Sequence, residues 1–422
     1  MRAEHLLTLV RQVIDAERAG SGTPGVGFGV IADGELLTSG VGVTGADGQL
    51  VTGSTTFRLC SITKPMTSTL VMSLVDEGLL DLDAPIEHWL PALPLGEGLT
   101  LRHLLLHTSG LEGEWRGDLS GYGTLEALIA DYGSLDHYAM PGAFWGYCNT
   151  GYWLAGRLVE IATGTSYEQA LTERVLLPLG MDATTFSDPM AAPHAVRGRK
   201  TVPVGAYVFP RARVSSGGVV SSADDLLRFA ALHLGGADLL PASRIAELRQ
   251  PVVPGSLGEW QSLGWATTPD AQLIGHSGSY DGYATRLMLL PEHGVAVAVL
   301  TNSDAGGKVA TAVREAVRRE VLGALTPPRE ELAVTEADLE RVTGDYVHPS
   351  VDRTRIRVEE GRLAVEMKGP KRDGTGWCKA WTPTEFTITD GSFTGTELQF
   401  LPGPDGVVRN LRIGQRLGRR LA

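Results

Sequence analysis

The sequence lacks any long apolar run. None of its apolar stretches approaches the roughly 20 residues that a membrane-spanning helix needs. Near the amino terminus, the run from Leu6 to Val10 is broken by Thr8 and followed by Arg11, so it does not resemble a secretion signal. Three cysteines among 422 residues, an odd number, argue against a disulfide framework and fit a reducing compartment. The expected location is therefore the cytoplasm, with no membrane partner.

Lysine is scarce as well. Lys64 is the only lysine in the first 199 residues, where arginine supplies nearly all of the positive charge. An arginine does not give up its proton in a protein, whereas a lysine can be tuned to do so. A single lysine in this stretch therefore suggests a proton-transfer role, although an arginine-biased composition would give the same pattern.

The net charge of −12 comes from one part of the chain. Residues 331–422 contain 14 acidic and 14 basic residues, so the whole negative charge lies in residues 1–330. An acidic main body argues against nucleic acids and anionic membranes as partners. The apolar and charged fractions, 43% and 20%, are those of an ordinary globular protein.

The first 325 residues have strand patterns at both ends and a helical block between them. An Asp33-Gly34 turn between short apolar runs predicts a hairpin. Proline is tolerated only in the first turn of a helix, so Pro65 predicts a helix that begins near Ser61. Together the patterns predict an antiparallel sheet covered by helices. Further predicted elements are an amphipathic first helix, helices over 100–107, 151–163, 222–235 and 308–325, and three successive strands over 275–302.

The end of the chain has a different pattern. Residues 326–335, with the sequence TPPREELAVT, have the composition of a linker. Residues 336–422 alternate apolar and polar side chains in short segments that glycine, proline and aspartate separate. This pattern predicts a small β-barrel or β-sandwich after the linker.

The first chemical motif is Ser61-Ile62-Thr63-Lys64. Residues three apart on a helix are neighbours, so Ser61 and Lys64 would share a face at the start of the helix. That end of a helix favours negative charge, and a neutral lysine amine beside a serine is a plausible proton acceptor. The pattern alone is common, and by itself it favours a capping serine with a surface lysine.

The second motif is Tyr147-Cys148-Asn149. In an extended segment, residues two apart point the same way, so Tyr147 and Asn149 would face one site. The phenol can relay a proton, and the amide can bind a substrate carbonyl or hold Lys64. The alternative is that Asn149 caps a helix that starts near Gly151.

The third motif is His276-Ser277-Gly278-Ser279. On a strand, His276 and Gly278 would share one face, and the glycine would let another backbone approach closely. The backbone N–H after the glycine would complete an oxyanion hole with that of Ser61. A histidine beside a turn is the simpler interpretation of this segment by itself.

In this order and spacing, the three motifs resemble the serine β-lactamase and penicillin-binding-protein superfamily. The Y-x-N motif points to the class C branch, which also holds D-peptidases, esterases and acyltransferases. The resemblance covers roughly residues 10–325, and the tail resembles a lipocalin-like β domain that some members carry. Supporting segments are Leu106–Leu111, Ser216–Gly218, Ser222–Leu226 and Leu263–Trp265.

The resemblance implies a fold and a division into domains. The fold is an α/β/α sandwich, in which an antiparallel sheet has helices on both sides plus an all-helical block, followed by a small antiparallel, lipocalin-like β-barrel. Residues 1–325 would form the catalytic domain, 326–335 the linker and 336–422 the β domain.

The resemblance also implies a role for each motif residue. Ser61 would be the nucleophile. Lys64 and Tyr147 would form the general base and acid system, and which of them takes the first proton is left open. Asn149 would position the substrate and Lys64.

The third motif would supply the strand along which the substrate binds. The resemblance assigns His276 and Gly278 to this strand, with the N–H groups of Ser61 and Ser279 as oxyanion donors. β-Lactamases of this branch carry lysine at the position of His276, whereas histidine is familiar in D-peptidases and cyclising thioesterases. We therefore expect slow β-lactam hydrolysis or none.

Other candidate residues carry weaker signals. Cys60 precedes the nucleophile and is interpreted as a small buried apolar residue, although a cysteine nucleophile is conceivable. His103 and His107 have the spacing of zinc ligands but lack the intervening glutamate, so His107 is interpreted as structural. The arginines near the end are interpreted as solvated strand residues; the alternative is that one of them reaches the active site and binds a substrate carboxylate. They are Arg412, Arg416, Arg419 and Arg420.

These observations predict an enzyme that transfers an acyl group from an ester, amide or thioester through an acyl-Ser61 intermediate. Hydrolysis is the expected outcome, and transfer to an amine, as in cyclising thioesterases and transacylases, is the alternative. A third possibility is a catalytically inactive sensor or scaffold, although all three motifs are present. We expect a small-molecule or peptide acyl substrate, with neither a metal nor a cofactor.

Overall fold

A computed structural model describes nearly the whole chain. No helix in its described ranges is long and apolar enough to cross a membrane. The residues outside the description are 92, 94–96, 115–118, 120, 133–134, 206–208, 257, 324–328, 349–350, 370–372 and 422, together with the side chains of 351 and 352.

The predicted helices are present, with small shifts at their ends, and five short helices that were not predicted lie between or after them in the described part of the chain. Gly164 has a φ of +68° directly after the helix predicted over 151–163, and this left-handed conformation ends it as expected. The described helices are α1 (Ala3–Ser21), α2 (Thr63–Asp76), α3 (Leu101–Leu105), α4 (Leu125–Ala130), α5 (Asn149–Thr163), α6 (Tyr167–Leu171), α7 (Val214–Gly217), α8 (Ala223–His233), α9 (Ala242–Arg249), α10 (Gly307–Leu322) and α11 (Glu336–Val342).

The strands of the first part form an antiparallel sheet in the order β2-β1-β12-β11-β10-β9-β8-β7. The predicted hairpin turn is present, with φ of +52° at Asp33 and +75° at Gly34, as a two-residue turn of this kind requires. The sheet contains β1 (Gly25–Ala32), β2 (Glu35–Gly42), β7 (Val253–Pro254), β8 (Trp260–Gln261), β9 (Ala266–Thr267), β10 (Ile274–Tyr280), β11 (Tyr283–Leu290) and β12 (Val295–Thr301). Two short pairs lie outside it: β3 (Phe57–Arg58) with β6 (Val220–Ser221), and β4 (His194–Arg197) with β5 (Lys200–Pro203).

Both faces of the central strands are buried. Every residue of β1 and β12 is buried, which explains why these segments read as continuous apolar runs. On one face, α1 and α10 pack over side chains such as Phe28 and Val297. On the other, α2, α5 and α8 share a core with Leu287 and Leu300. The sheet with helices on both sides is thus confirmed.

The carboxy-terminal strands close into an antiparallel barrel. Each strand pairs with its neighbour in sequence and the last pairs with the first, so the sheet has no open edge. Alternate side chains such as Ile356, Val365 and Phe400 fill its interior. The strands are β13 (Gly344–His348), β14 (Val351–Glu359), β15 (Arg362–Lys368), β16 (Gly374–Thr382), β17 (Glu385–Ile388), β18 (Glu397–Pro402), β19 (Val408–Ile413) and β20 (Arg416–Arg420).

The predicted linker is bound to the barrel where it is described. The boundary expected at residues 325 and 326 lies outside the described residues. Beyond it, Arg329 pairs with Glu385 at 2.6 Å, and the Leu332 N–H donates to the Ala380 carbonyl at 3.0 Å. Residues 329–335 therefore pack with the barrel instead of spanning a gap.

Candidate active site

Ser61 lies in a tight turn at the start of α2. Residues Cys60–Ile62 form a 3₁₀ turn and α2 follows directly. Cys60 has a φ of +53°, in the left-handed region that side chains rarely adopt, so the chain bends sharply just before Ser61. A Cβ at Gly278 would lie 2.2 Å from the Leu59 carbonyl oxygen, so glycine is what lets β10 approach this turn.

Lys64 is fully buried beneath Ser61. Its Nζ lies 3.3 Å from Ser61 Oγ and donates to the Ser216 carbonyl at 2.8 Å. Burial lowers the pKa of Lys64 well below its usual value, and the Arg416 guanidinium lowers it further. Both effects favour the uncharged amine, which has a lone pair available beside the serine hydroxyl.

The phenol of Tyr147 completes this group. Tyr147 is hydrogen-bonded to Ser61, and its ring centre lies 4.8 Å from Lys64 Nζ. Burial raises the pKa of Tyr147, and the bond to Ser61 opposes this rise only in part, so the phenol keeps its proton. The ring of His107 lies 4.4 Å from that of Tyr147, and its Nδ1 accepts the Cys148 N–H at 3.0 Å.

Asn149 lies in the first turn of α5 and contacts Glu114. The capping interpretation is wrong, because α5 begins at Asn149 itself and the Sγ of Cys148 accepts the Gly151 N–H at 3.3 Å. The Asn149 amide donates to Glu114 Oε1 at 2.6 Å, whereas Lys64 is hydrogen-bonded to the groups described above. Asn149 Oδ1 is buried and has no partner among the described residues, so it can accept a hydrogen bond from a substrate.

A hairpin of the barrel enters the site. The Gln415 carbonyl, between β19 and β20, accepts the Tyr147 N–H at 2.6 Å. The next residue, Arg416, donates to the Tyr147 carbonyl at 2.5 Å and pairs with Glu114. Its guanidinium carbon lies 4.7 Å from the centre of the Tyr147 ring. The barrel thus contributes a cation directly beside the candidate general acid.

The interpretation of the terminal arginines as solvated strand residues is wrong for two of them. Arg412 is only 4% exposed, donates to the Trp145 carbonyl at 3.1 Å and stacks on the Trp145 ring. Arg416 reaches the active site, as the alternative interpretation required. Arg419 is 42% exposed and lies 3.8 Å from Asp136, which fits a surface residue.

The edge of β10 borders a large cavity. In the described part of the chain, β9 pairs with β10 only at Ile274 and Gly275, which leaves the edge from His276 onward open. Burial lowers the pKa of His276, and the positive charge that Lys64 carries when it is protonated lowers it further. The ring centre of His276 lies 6.1 Å from that of Tyr147. The cavity has a volume of about 700 Å³. Its walls include Ser61, Glu114, Tyr147, Asn149, Ser216, His276, Ser277, Ser279, Arg286 and Arg416.

The weaker candidates have structural roles. Burial raises the pKa of Cys60 to about 12, so this thiol is not a ready nucleophile. His103 Nδ1 accepts the Thr100 N–H at 3.2 Å, and this bond belongs to a capping box at the start of α3.

Two residues of the site were given no role from the sequence, although Ser216 lies in one of the segments that support the resemblance. The Ser216 carbonyl accepts a hydrogen bond from Lys64, which lies 152 residues away in the sequence. Glu114 binds both Asn149 and Arg416, and Arg416 lies 302 residues away from it in the sequence. A backbone carbonyl has no residue signature. Glu114 lies close after the segment Leu106–Leu111, whose resemblance marked the neighbourhood without marking the residue.

Comparison with known proteins supports the family resemblance. The Beta-lactamase family model matches residues 10–322. Penicillin-binding protein 4 of Amycolatopsis lactamdurans is 33% identical over 345 residues, covering 75% of this chain and 89% of that protein. The crystal structure of SurE with D-Leu superposes with a TM-score of 0.83 at 26% identity, covering 99% of this chain and 100% of that one. Monacolin J acid methylbutanoyltransferase of Aspergillus terreus is 34% identical over 164 residues, which are 31% of this chain and 37% of that enzyme.

Proposed function

Because the chain belongs to the β-lactamase family, we propose that it transfers an acyl group from an ester, amide or thioester through an acyl-Ser61 intermediate. The observation that carries the proposal is the desolvated Lys64 amine, 3.3 Å from the Ser61 hydroxyl and shielded from solvent. A lysine in water holds its proton at neutral pH and cannot serve as a base. Burial lowers the pKa of Lys64, so its amine can be uncharged and can accept a proton.

The proton steps follow from the pKa directions. Lys64 Nζ takes the Ser61 proton while Ser61 Oγ bonds to the acyl carbon. The N–H groups of Ser61 and Ser279 stabilise the negative oxygen that results. Tyr147, which burial keeps protonated, gives its proton to the leaving group and regains one from Lys64. The second half reverses these steps, with the incoming nucleophile in place of the leaving group.

The acyl group passes to an amine that carries a carboxylate, in preference to water. Arg416 supports this choice because guanidinium groups bind carboxylates in a fixed geometry, and here one stands beside Tyr147. In the free protein Glu114 occupies that position, and the acceptor's carboxylate takes its place. D-Leu, which is present in the SurE crystal structure described above, carries both an amine and a carboxylate. Hydrolysis, the outcome expected from the sequence, becomes the side reaction.

The test uses one activated acyl thioester and two matched acceptors. An amino acid and the corresponding amine without its carboxylate are each offered to the purified full-length protein, and products are quantified by mass spectrometry. We expect an amide product with the amino acid and mostly hydrolysis with the simple amine. Equal hydrolysis with both acceptors would support a hydrolase. An inactive scaffold would give no covalent adduct with the thioester or with a fluorophosphonate.

A further inference from the structure

The cavity continues past the open edge of β10 to the opposite face of the sheet. Side chains alternate along a strand, and Thr285 bonds the Leu59 carbonyl on the catalytic face, so Arg286 points to the α10 face. Arg286 is paired across the sheet with Ser277 on β10, whose side chain points the same way. Both residues line the same cavity as Ser61.

Arg286 stands in a cluster of cationic side chains. Arg314 and Arg318, one turn apart on α10, line the same cavity, and Arg314 lies close enough to lower the pKa of Arg286. The nearby carboxylates bind these helix arginines, since Glu259 pairs with Arg314 at 2.8 Å and Glu315 with Arg318 at 3.2 Å. Both carboxylates also raise the pKa of Arg286, but in the described part of the chain their ion pairs are made with the helix arginines and not with Arg286.

The environment of Arg286 is unfavourable for an isolated cation. Its Nε is buried and has no hydrogen-bond partner among the described residues. Burial lowers the pKa of Arg286, and the neighbouring charge of Arg314 lowers it further. A buried, incompletely paired charge costs stability, and a bound anion would remove that cost.

We propose that Arg286 and Ser277 form an oxyanion-binding subsite for a phosphate or carboxylate group on the leaving group of the acyl donor. The donor then follows the open edge of β10, with its acyl carbon at Ser61 and its anionic group beside Arg286. This assignment of the occupant rests on the proposed acyl transfer, whereas anion binding at Arg286 does not.

The first experiment measures anion binding without catalysis. Thermal unfolding of the full chain is followed in inorganic phosphate and in chloride at equal ionic strength. We expect phosphate to raise the melting temperature of the wild type and to leave that of Arg286→Met unchanged. In chloride, Arg286→Met should be as stable as the wild type or more so, because an incompletely paired buried charge has been removed. Arg319→Met, an exposed position on the same helix, is the matched control and should respond to phosphate like the wild type.

The second experiment identifies the source of the anion. Two thioesters share one acyl group and differ in whether the leaving thiol carries a phosphate. In the wild type, KM should be lower for the phosphorylated donor. Arg286→Met should raise that KM by roughly 10- to 100-fold and should change the KM of the neutral donor far less.

Two results would overturn the proposal. Equal phosphate stabilisation of the wild type and Arg286→Met would mean an adventitious ion only. Stabilisation that depends on Arg286, without any preference between the two donors, would exclude the donor as the occupant. A failure of acyl transfer itself would appear as missing adducts with both donors, and the unfolding experiment would still decide whether Arg286 binds an anion.

Discussion

The two ends of the catalytic cleft differ in the charge of their side chains, which are uncharged at one end and form an ion pair at the other. At one end Lys64 is completely buried and Tyr147 keeps its proton, so the groups beside Ser61 are held uncharged. At the other end Arg416 and Glu114 are 19% and 23% exposed and remain an ion pair. The first end is formed within the main domain by α2, the turn before it and the segment before α5, whereas the second joins the barrel to the main domain.

This difference separates chemistry from recognition. A proton acceptor must be free of its proton at working pH, and burial achieves this for lysine. A carboxylate-binding arginine must keep its charge. In the free protein an acidic side chain pairs with this arginine, and the carboxylate of the substrate replaces that side chain on binding. Variants at the first end should therefore stop acylation, and variants at the second should change the acceptor.

The largest effect should come from the nucleophile itself. Ser61→Ala should abolish covalent labelling by an activated ester, because no other hydroxyl among the described residues is hydrogen-bonded to Lys64. Cys60→Ala should leave labelling largely intact, since its thiol is buried with a pKa of about 12. Peptide mapping of the trapped adduct distinguishes the two residues. An adduct on Cys60, with Ser61→Ala still active, would refute the assignment.

Lys64→Arg should be nearly as damaging as Lys64→Ala. Arginine keeps its own proton and cannot accept another, and losing general-base help typically costs about 10²–10⁴-fold in rate. The acylation rate with an activated ester, measured for both variants, provides the comparison. An arginine variant that keeps most of the wild-type rate would make Lys64 an electrostatic partner only.

A smaller and more selective effect is expected at Arg416. Arg416→Gln should reduce transfer to an amino acid relative to hydrolysis by roughly 10- to 100-fold, since a charge-assisted contact to the acceptor is lost. The rate of Ser61 acylation should change far less. Arg419→Gln removes a surface arginine of the same strand and is the control. Equal product ratios in the two variants would contradict the role of Arg416.

The same division explains what the sequence could predict. Ser61 and Lys64 are three residues apart on one helix, so local geometry alone brings them together. Gly278 was predicted because a close backbone approach has a residue signature. Arg416 and Glu114 meet across 302 residues, and their contact depends on how the barrel packs on the main domain. No periodicity within either segment encodes that packing.

The fold follows the same rule. Long elements such as α5 and β10–β12 were predicted within a few residues, since apolar periodicity is strong over such lengths. The two-residue strands β7, β8 and β9 were not predicted, because so short a segment cannot show alternation. The sequence predicted either a barrel or a sandwich for the carboxy-terminal strands. The pairing of β13 with β20 closes the sheet, so these strands form a barrel.

The smallest expected effect tests whether the two ends are coupled. The positive charge of Arg416 lowers the pKa of Lys64, and the negative charge of Glu114 raises it. Acylation needs the uncharged amine, so the rate falls as the pH drops through the pKa of Lys64. Arg416→Gln should therefore move this acid limb of the kcat/KM profile to higher pH, and Glu114→Gln should move it to lower pH.

The position of the limb separates this coupling from structural damage, which would lower the rate at every pH without moving the limb. Arg419→Gln should leave the limb in place, because that side chain is exposed and does not contribute to the pKa shift of Lys64. Combining Arg416→Gln with Glu114→Gln should return the limb toward its wild-type position, since the two fields are opposed. If both single variants moved the acid limb in the same direction, or neither moved it, the coupling would be contradicted. Arg416 would then affect binding of the acceptor without changing the pKa of Lys64.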